Sequence, residues 1–274
     1  VSRLLVFGLG YAAGVIAHRL RARGWAVAAT GRNGTLRFDD SEAVRGALAA
    51  STHVLSSVPP SEEGDPVLAA YGSLIGGKCL SYLSSTGVYG DTGGAWVDET
   101  APADRGRRRA RNAADADWLA LGARVFRLPG IYGPGRSPLD RVREGKAHRV
   151  GLADQVFGRV HVDDLAEGVI AGLDAPSGAY NLADDWPCPQ DEVVAYAAAL
   201  LGLSPPPIVS LADLSPMARG FYAENRRVAN GKAKRVLGWG PRYADYRLGL
   251  RALSATTSPA PASSAPATDR VDQR

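Results

Sequence analysis

Short apolar runs alternate with helical patterns over roughly the first 130 residues. Leu4-Leu5-Val6-Phe7 reads as a buried strand, and Ala13, Ile16, Ala17 and Leu20 follow at the spacing of one helix face. Gly24 stands where a C-cap belongs. The same reasoning predicts strands over 26–30, 53–58, 80–84 and 124–128, and helices over 40–50, 66–75 and 108–121. This alternation predicts an α/β fold, a Rossmann-type doubly wound parallel sheet covered on both faces.

After Gly130 the texture changes to loops such as Tyr132-Gly133-Pro134-Gly135. Helices predicted over 163–173 and 190–201 flank a strand near 179–182, and Pro205-Pro206-Pro207 marks a stiff connection. Residues 1–253 are therefore expected to form one folded unit, with 133–160 and 187–250 set apart in texture from the alternating start. From residue 254 to 274 only Ser, Thr, Ala and Pro dominate, without periodicity, which predicts a disordered tail. No internal repeat is visible.

Composition changes this picture little. Of 274 residues 45% are hydrophobic and 22% charged, ordinary for a globular protein. A net charge of +4 with scattered basic residues argues against nucleic acid as a partner. No apolar run approaches the ~18 residues of a membrane span. The chain enters a strand at once, without a signal-peptide layout, so a cytoplasmic protein is expected. Cys79 and Cys188 lie far apart without ligand-like spacing and read as idle thiols in a reducing compartment, and no metal is expected. Oligomeric state is left open, a homodimer included.

Gly8-Leu9-Gly10-Tyr11-Ala12-Ala13-Gly14 follows a strand and opens a helix. A tight turn at Gly8 and bare backbone at Gly10 would let a pyrophosphate approach the helix N-terminus, with Tyr11 and Ala12 beside it. Ala13 takes the third small position, where helix and strand pack closely. At the end of the second strand an NAD binder usually carries Asp or Glu, but this chain reads Thr30-Gly31-Arg32-Asn33. Arg32 can pair with a 2′-phosphate and Asn33 can donate to it, so NADP is the expected cofactor. A solvated loop arginine is the plainer alternative.

Ser84-Ser85-Thr86-Gly87-Val88-Tyr89-Gly90, Leu128-Pro129-Gly130-Ile131-Tyr132-Gly133-Pro134-Gly135-Arg136, His161-Val162-Asp163-Asp164-Leu165-Ala166 and Leu237-Gly238-Trp239 complete an ordered set. Together with the glycine-rich start they resemble the extended short-chain dehydrogenase/reductase superfamily, also called the NAD-dependent epimerase/dehydratase family, over about residues 3–250. The resemblance implies one dinucleotide-binding Rossmann unit over 1–253, with a small C-terminal substrate lobe built mainly from 133–160 and 187–250. It implies that Ser57, Val58 and Pro59, after the family's fourth strand, border the cofactor ribose. It implies that Pro129 and Ile131 lie beside the nicotinamide, that Thr86 faces substrate, and that Ser85 hydrogen-bonds the reacting oxygen. A strand-end hydroxyl capping its own turn is the alternative for Ser85.

One family motif is missing. The Tyr-x-x-x-Lys helix reads Arg105-Gly106-Arg107-Arg108-Arg109-Ala110-Arg111-Asn112-Ala113-Ala114-Asp115, with Arg107 at the Tyr position and Arg111 at the Lys position. Arg111 could still hold ribose or phosphate. Arg107 cannot shuttle a proton, because guanidinium stays charged at working pH, but it could bind an anionic substrate. The Asp-Glu pair of sugar nucleotide 4,6-dehydratases is replaced by Thr86 and Gly87, which argues against that subclass.

A proton donor must therefore come from elsewhere. Tyr89 is the first candidate, with an aromatic packing role as the alternative. Glu99 could serve as a base, although solvated loop carboxylates are commoner. Asp163 reads as a helix cap rather than a metal ligand with His161 and Asp164. Arg226 and Arg227 lie where extended members often bind anionic substrate groups. Two functions fit: an NADP-dependent reductase or epimerase acting on a small, anionic metabolite, or a non-catalytic NADP-binding sensor.

Overall fold

The computed structural model describes residues 2–256. Six strands form its sheet: β1 (Arg3–Phe7), β2 (Ala26–Ala29), β3 (His53–Ser56), β4 (Cys79–Ser85), β5 (Arg124–Leu128) and β6 (Gly178–Asn181). They lie in the order 2-1-3-4-5-6, every neighbouring pair parallel. The period-2 geometry of a strand explains why β1 is apolar throughout. Leu4 and Val6 face α1 (Tyr11–Ala22) and the later helix at Val162–Gly172, whereas Leu5 and Phe7 face α2 (Ser41–Ala50), α3 (Pro66–Tyr71) and α4 (Arg109–Ala120).

Helix α1 buries the face its spacing predicted, with Ala13, Ile16, Ala17 and Leu20 all at 1% exposure or less. Burying one large aliphatic side chain of this kind contributes about 1.5–3 kcal/mol. Strand order reverses between β1 and β3, which opens a crevice at the carboxyl ends of the strands. Ser57–Pro59 follow the third strand of this sheet rather than a fourth, because residues 31–40 form turns and one isolated bridge in place of a further strand.

The lobe has its own core. Leu139 and Val142 of α5 (Pro138–Arg143), Val193, Val194, Ala197 and Ala198 of α7 (Gln190–Leu200), and Tyr246, Leu250 and Leu253 of α10 (Tyr246–Thr256) pack around Tyr132 and Cys188. Between them lie α6 (Val162–Gly172), α8 (Pro216–Phe221) and α9 (Gly231–Leu237). Within the stretch 187–250 expected in the lobe, Ala233 of α9 and Trp239 instead join the sheet-side core with Leu165 and Val169 of α6. The predicted tail also starts too early. Residues 254–256 belong to α10, because the apolar face Tyr246, Leu250 and Leu253 carries the helix past the change in composition. Residues 257–274 lie outside the described residues. Among the described residues no helix is long and apolar enough to cross a membrane.

A buried polar network ties the elements below the crevice together. Arg127 on β5 donates to both oxygens of Asp115 on α4, at 2.7 and 3.2 Å, and both side chains are under 4% exposed. Ser84 Oγ on β4 donates to Asp115 Oδ2 at 2.6 Å. Arg127 also donates to the Tyr89 hydroxyl (3.0 Å), which donates to Asn181 Oδ1 on β6 (2.8 Å). The Asn181 backbone N–H donates to Glu99 Oε1 at 2.7 Å. Removing one member of a buried ion pair strands the other charge, so Asp115→Ala is expected to destabilise the fold by about 3–5 kcal/mol. Adding Arg127→Met to that variant should restore part of the loss. Urea denaturation of wild type, single and double variants checks both expectations, and a double variant less stable than Asp115→Ala would contradict them.

Candidate active site

The glycine-rich loop is held from two sides. Gly8 has φ +85°, and a Cβ there would stand 3.0 Å from Val58 Cγ2 and 3.1 Å from Ser57 Oγ. Thr30, just past β2, binds it, its hydroxyl accepting from Gly8 N (3.2 Å) and its carbonyl from Leu9 N (2.8 Å). The Ser57 hydroxyl donates to the Gly8 carbonyl, so this side chain braces the loop. Gly10 is the N-cap of α1 and supplies no side-chain cap, while its own Cβ position faces open space. The free N–H groups of that first turn suit an anion. Ala12 is half-buried, and Ala13 packs into the sheet-side core.

Arg32 and Asn33 sit exposed on the turn after β2, with no side-chain hydrogen bond or ion pair to any described residue. Pro59 is exposed beyond the braced loop. Tyr11 donates to the Pro134 carbonyl (3.0 Å), and the Arg136 guanidinium lies over its ring, 5.7 Å from the centroid. These contacts join the glycine loop to a cavity of about 770 Å³ between sheet and lobe.

Ser85, Thr86, Pro129 and Ile131 line that cavity, as do Arg107, Arg111 and Arg226. So do Arg108, Arg136, Arg141 and Arg159, which makes seven arginines against one carboxylate, Glu224, among the described residues. Glu224 accepts from Arg107 Nε (3.2 Å) and from Arg226 Nη1 (2.9 Å), so its charge is already shared. Arg159 is 6% exposed and donates to the Phe157 and Cys188 carbonyls and to Gln190 Oε1, with no carboxylate bound to it. The positive charge therefore comes from residues spread over 107–226, of which those in the 105–111 run, Arg136 and Arg226 lie in segments marked by the sequence. His148 and Tyr222, both cavity-lining, also went unnoticed, because neither sits in a motif.

Several expectations change. Tyr89 is 1% exposed, does not line the cavity, and spends its hydroxyl on Arg127 and Asn181, so it is not placed to give a proton to a ligand there. Burial raises its pKa above the ordinary phenol value, with Arg127 pulling the other way. Arg227 turns away and donates to the Gly94 carbonyl, because the strand at Arg227–Val228 pairs with Trp96–Val97 and points alternate residues apart. Glu99 is committed to the Asn181 backbone. His161, not Asp163, caps α6, its Nδ1 accepting from Asp163 N (3.2 Å), while Asp163 pairs with Arg19. Asp164 accepts from the backbone N–H groups of Arg242 and Tyr243.

Ser85 combines both readings. Its Oγ accepts from Gly87 N at 3.1 Å, a turn cap, yet its remaining proton can still be donated into the cavity. Helix α4 begins at Arg109, so Arg107 precedes the helix and only Arg111 lies on it. Gly106 allows the close approach: a Cβ there would stand 2.1 Å from the Gly87 carbonyl oxygen. Arg111 Nη1 donates to the Tyr82 hydroxyl at 2.6 Å. Burial pushes Tyr82 up to about 12, against the pull of Arg111, so it too stays neutral.

No family model matches the chain. A structure of a conserved protein of unknown function from Silicibacter pomeroyi is 42% identical, covering 93% of this chain and 99% of that one with a TM-score of 0.83. The human epimerase family protein SDR39U1 (isoform 2), solved with NADPH, is 17% identical over 93% of this chain and 99% of its own, with a TM-score of 0.73. A 3-diazoavenalumate denitrifying reductase from Streptomyces is 30% identical over 152 residues. The chain spans about half the length of the curated relatives it matches.

A buried acid lies behind the cavity. Asp184 is 2% exposed and neither of its carboxylate oxygens makes a well-formed hydrogen bond. Desolvation lifts it from an ordinary value of 3.8 to about 8, and Arg159 only partly opposes this. Between those values the native state keeps a proton that the unfolded state has released, so stability falls as pH rises. The contribution is complete below pH 3.8 and gone above about 8. Asp184→Asn should remove this part of the pH dependence and melt higher than wild type at pH 8.5. Melting curves between pH 5 and 8.5 test this, and parallel curves for the two proteins would refute it.

Proposed function

We propose that this chain, which shares a family with the Silicibacter pomeroyi protein and the extended short-chain dehydrogenase/reductase fold with its other neighbours, is an NADP-dependent oxidoreductase for a small anionic metabolite. The observation that carries the reading is the cavity, where seven arginines and one carboxylate surround the end of β4 beside the glycine loop. A helix N-terminus ordinarily attracts acidic residues, yet the first turn of α4 holds Arg109 and Arg111 and no acid. Such a conflict is relieved when an anion occupies the space in front of it.

In this reading the pyrophosphate rests on the first turn of α1 and the 2′-phosphate on Arg32 and Asn33. Pro129 and Ile131 would border a bound nicotinamide, which would supply hydride chemistry there, and the Ser85 hydroxyl would donate a hydrogen bond to the reacting oxygen of the substrate. Thr86, Arg226 and Arg107 hold the substrate's anionic group, and Arg111 holds phosphate or ribose. With Tyr82 and Tyr89 both buried, the proton comes from His148 or Tyr222, the cavity-lining imidazole and phenol. The Streptomyces relative is a reductase, which favours net reduction over epimerisation. Neighbours of this fold are solved with NADPH or with NAD, which supports a nicotinamide dinucleotide, and the choice of NADP rests on Arg32 and Asn33. The protein acts in the cytoplasm.

A second reading rests on the burial of Tyr89 and the arginine at position 107. A chain with no motif acid at its cofactor needs none if it only senses NADP(H) for a partner, such as a second copy in a homodimer.

Charge-assisted contacts contribute roughly 1.5–3 kcal/mol each, so wild type should bind NADPH about 10- to 100-fold more tightly than NADH. Arg32→Ala should erase that difference, measured as dissociation constants by fluorescence titration. Equal affinities in wild type sink the NADP assignment. For catalysis, NADPH oxidation is followed over a panel of carboxylated and phosphorylated carbonyl compounds. With any substrate found, Ser85→Ala should lower turnover by about 100-fold while leaving NADPH affinity unchanged. No turnover across the panel, with a partner whose affinity tracks the NADP/NADPH ratio, would favour the sensor.

A further inference from the structure

At the amino ends of two central strands, away from the cavity, three side chains bring together an imidazole, a thiol and a carboxylate. His53 opens β3, Cys79 opens β4 directly beside it in register, and Asp174 lies just past α6. His53 Nε2 stands 2.9 Å from Asp174 Oδ1, and Cys79 Sγ stands 3.9 Å from the same oxygen. All three atoms lie within 4.8 Å of one another. Tetrahedral Zn²⁺, bound at about 2.0–2.3 Å, spaces its N, O and S ligands about 3.3–3.7 Å apart. The trio therefore needs shifts of a few tenths of an ångström to over one to become one face of such a tetrahedron, and the Asp174 side chain, 72% exposed, is free to make them.

We propose that His53, Cys79 and Asp174 form a Zn²⁺ site, with water as the fourth ligand. One thiolate, one imidazole and one carboxylate make a borderline-soft donor set suited to that ion. The support behind the histidine fits the same role. Thr52 Oγ1 lies 2.8 Å from His53 Nδ1, and its hydroxyl also reaches the Arg3 carbonyl at 3.0 Å. Without metal, the Thr52 hydroxyl donates to Nδ1 while Nε2–H donates to Asp174. With metal on Nε2, the ring carries its proton on Nδ1 and donates it to Thr52, whose own proton turns to the Arg3 carbonyl. Thr52 thus serves either tautomer without losing a partner, as the supporting hydrogen bond of a metal-bound histidine must. The nearby cation Lys78 is turned onto the Ser51 carbonyl (2.8 Å).

Binding exchanges the Cys79 thiol proton for the metal–sulfur bond, so one proton leaves to solvent per ion bound. The site lies at the amino ends of the strands, away from the crevice, so the ion clamps β3, β4 and the α6–β6 connection rather than joining hydride chemistry. Sequence spacing hides it, because the three ligands come from three separate elements.

The test is a Co²⁺ titration of the reduced full-length protein, Co²⁺ standing in for Zn²⁺ as a coloured tetrahedral probe. Wild type should take up one equivalent with a thiolate-to-cobalt absorption band, which Zn²⁺ then bleaches. The Trp25 ring, 4.8 Å from the His53 ring, should report the same endpoint by fluorescence. Cys79→Ser should lose the band, whereas Cys188→Ser should keep it. Asp174→Asn, a change at an exposed side chain, and Thr52→Val should weaken binding by about 10- to 100-fold or more. Thermal melts in chelator check that each variant is folded, and Zn²⁺ should raise the melting temperature of wild type but not of Cys79→Ser. Absence of the band in wild type overturns the site, as does an undiminished band in Cys79→Ser.

Discussion

Burying a full positive charge beneath a ligand crevice is costly, and the pairing of Arg127 with Asp115 is what makes it tolerable here. Both oxygens of the acid and three nitrogens of the guanidinium are used, by each other, by Ser84 and by Tyr89. Geometry this complete joins α4 to β4, β5 and β6 at one point. Everything at the carboxyl end of β4 inherits its position from that joint. Ser85 follows Ser84 directly, and Arg111 lies one turn before Asp115 on the same helix. The joint also removes Tyr89 from acid–base chemistry, since its hydroxyl completes the network instead of facing a ligand.

A modest net charge of +4 conceals an uneven distribution. Carboxylates pair on the outer faces, as Asp163 and Glu167 do with Arg19, while arginines gather around the cavity with Glu224 as the acid among its described lining residues. In a partly enclosed site such charges keep much of their strength, because less water screens them. Arg107 contacts Glu224 and the Gly220 carbonyl, which ties the start of α4 to the lobe. A guanidinium stays charged at any working pH, so position 107 contributes positive charge and donors to the cavity wall.

Local sequence determined a good deal. The spacing of Ala13, Ile16, Ala17 and Leu20 marked the buried face of α1, and the apolar runs marked all six strands of the sheet, because helix and strand periods are properties of neighbouring residues. Gly8 was legible for the same reason, its positive φ being a demand of one turn. Ser85, Thr86, Pro129 and Ile131 were legible through motifs, and all four line the cavity. Tertiary structure decided the rest. Tyr89 and Arg227 sit in motifs that point to a ligand, but contacts with Asn181 and Gly94, far away in the chain, turn them elsewhere. Arg159, His148 and Tyr222 carry no local mark and reach the cavity only once the lobe packs over the sheet. His53, Cys79 and Asp174 meet only because β3 and β4 pair in register beside the end of α6. Periodicity and turn chemistry are written over a few residues and can be read directly, whereas the direction a side chain finally faces depends on partners that only the folded chain brings near.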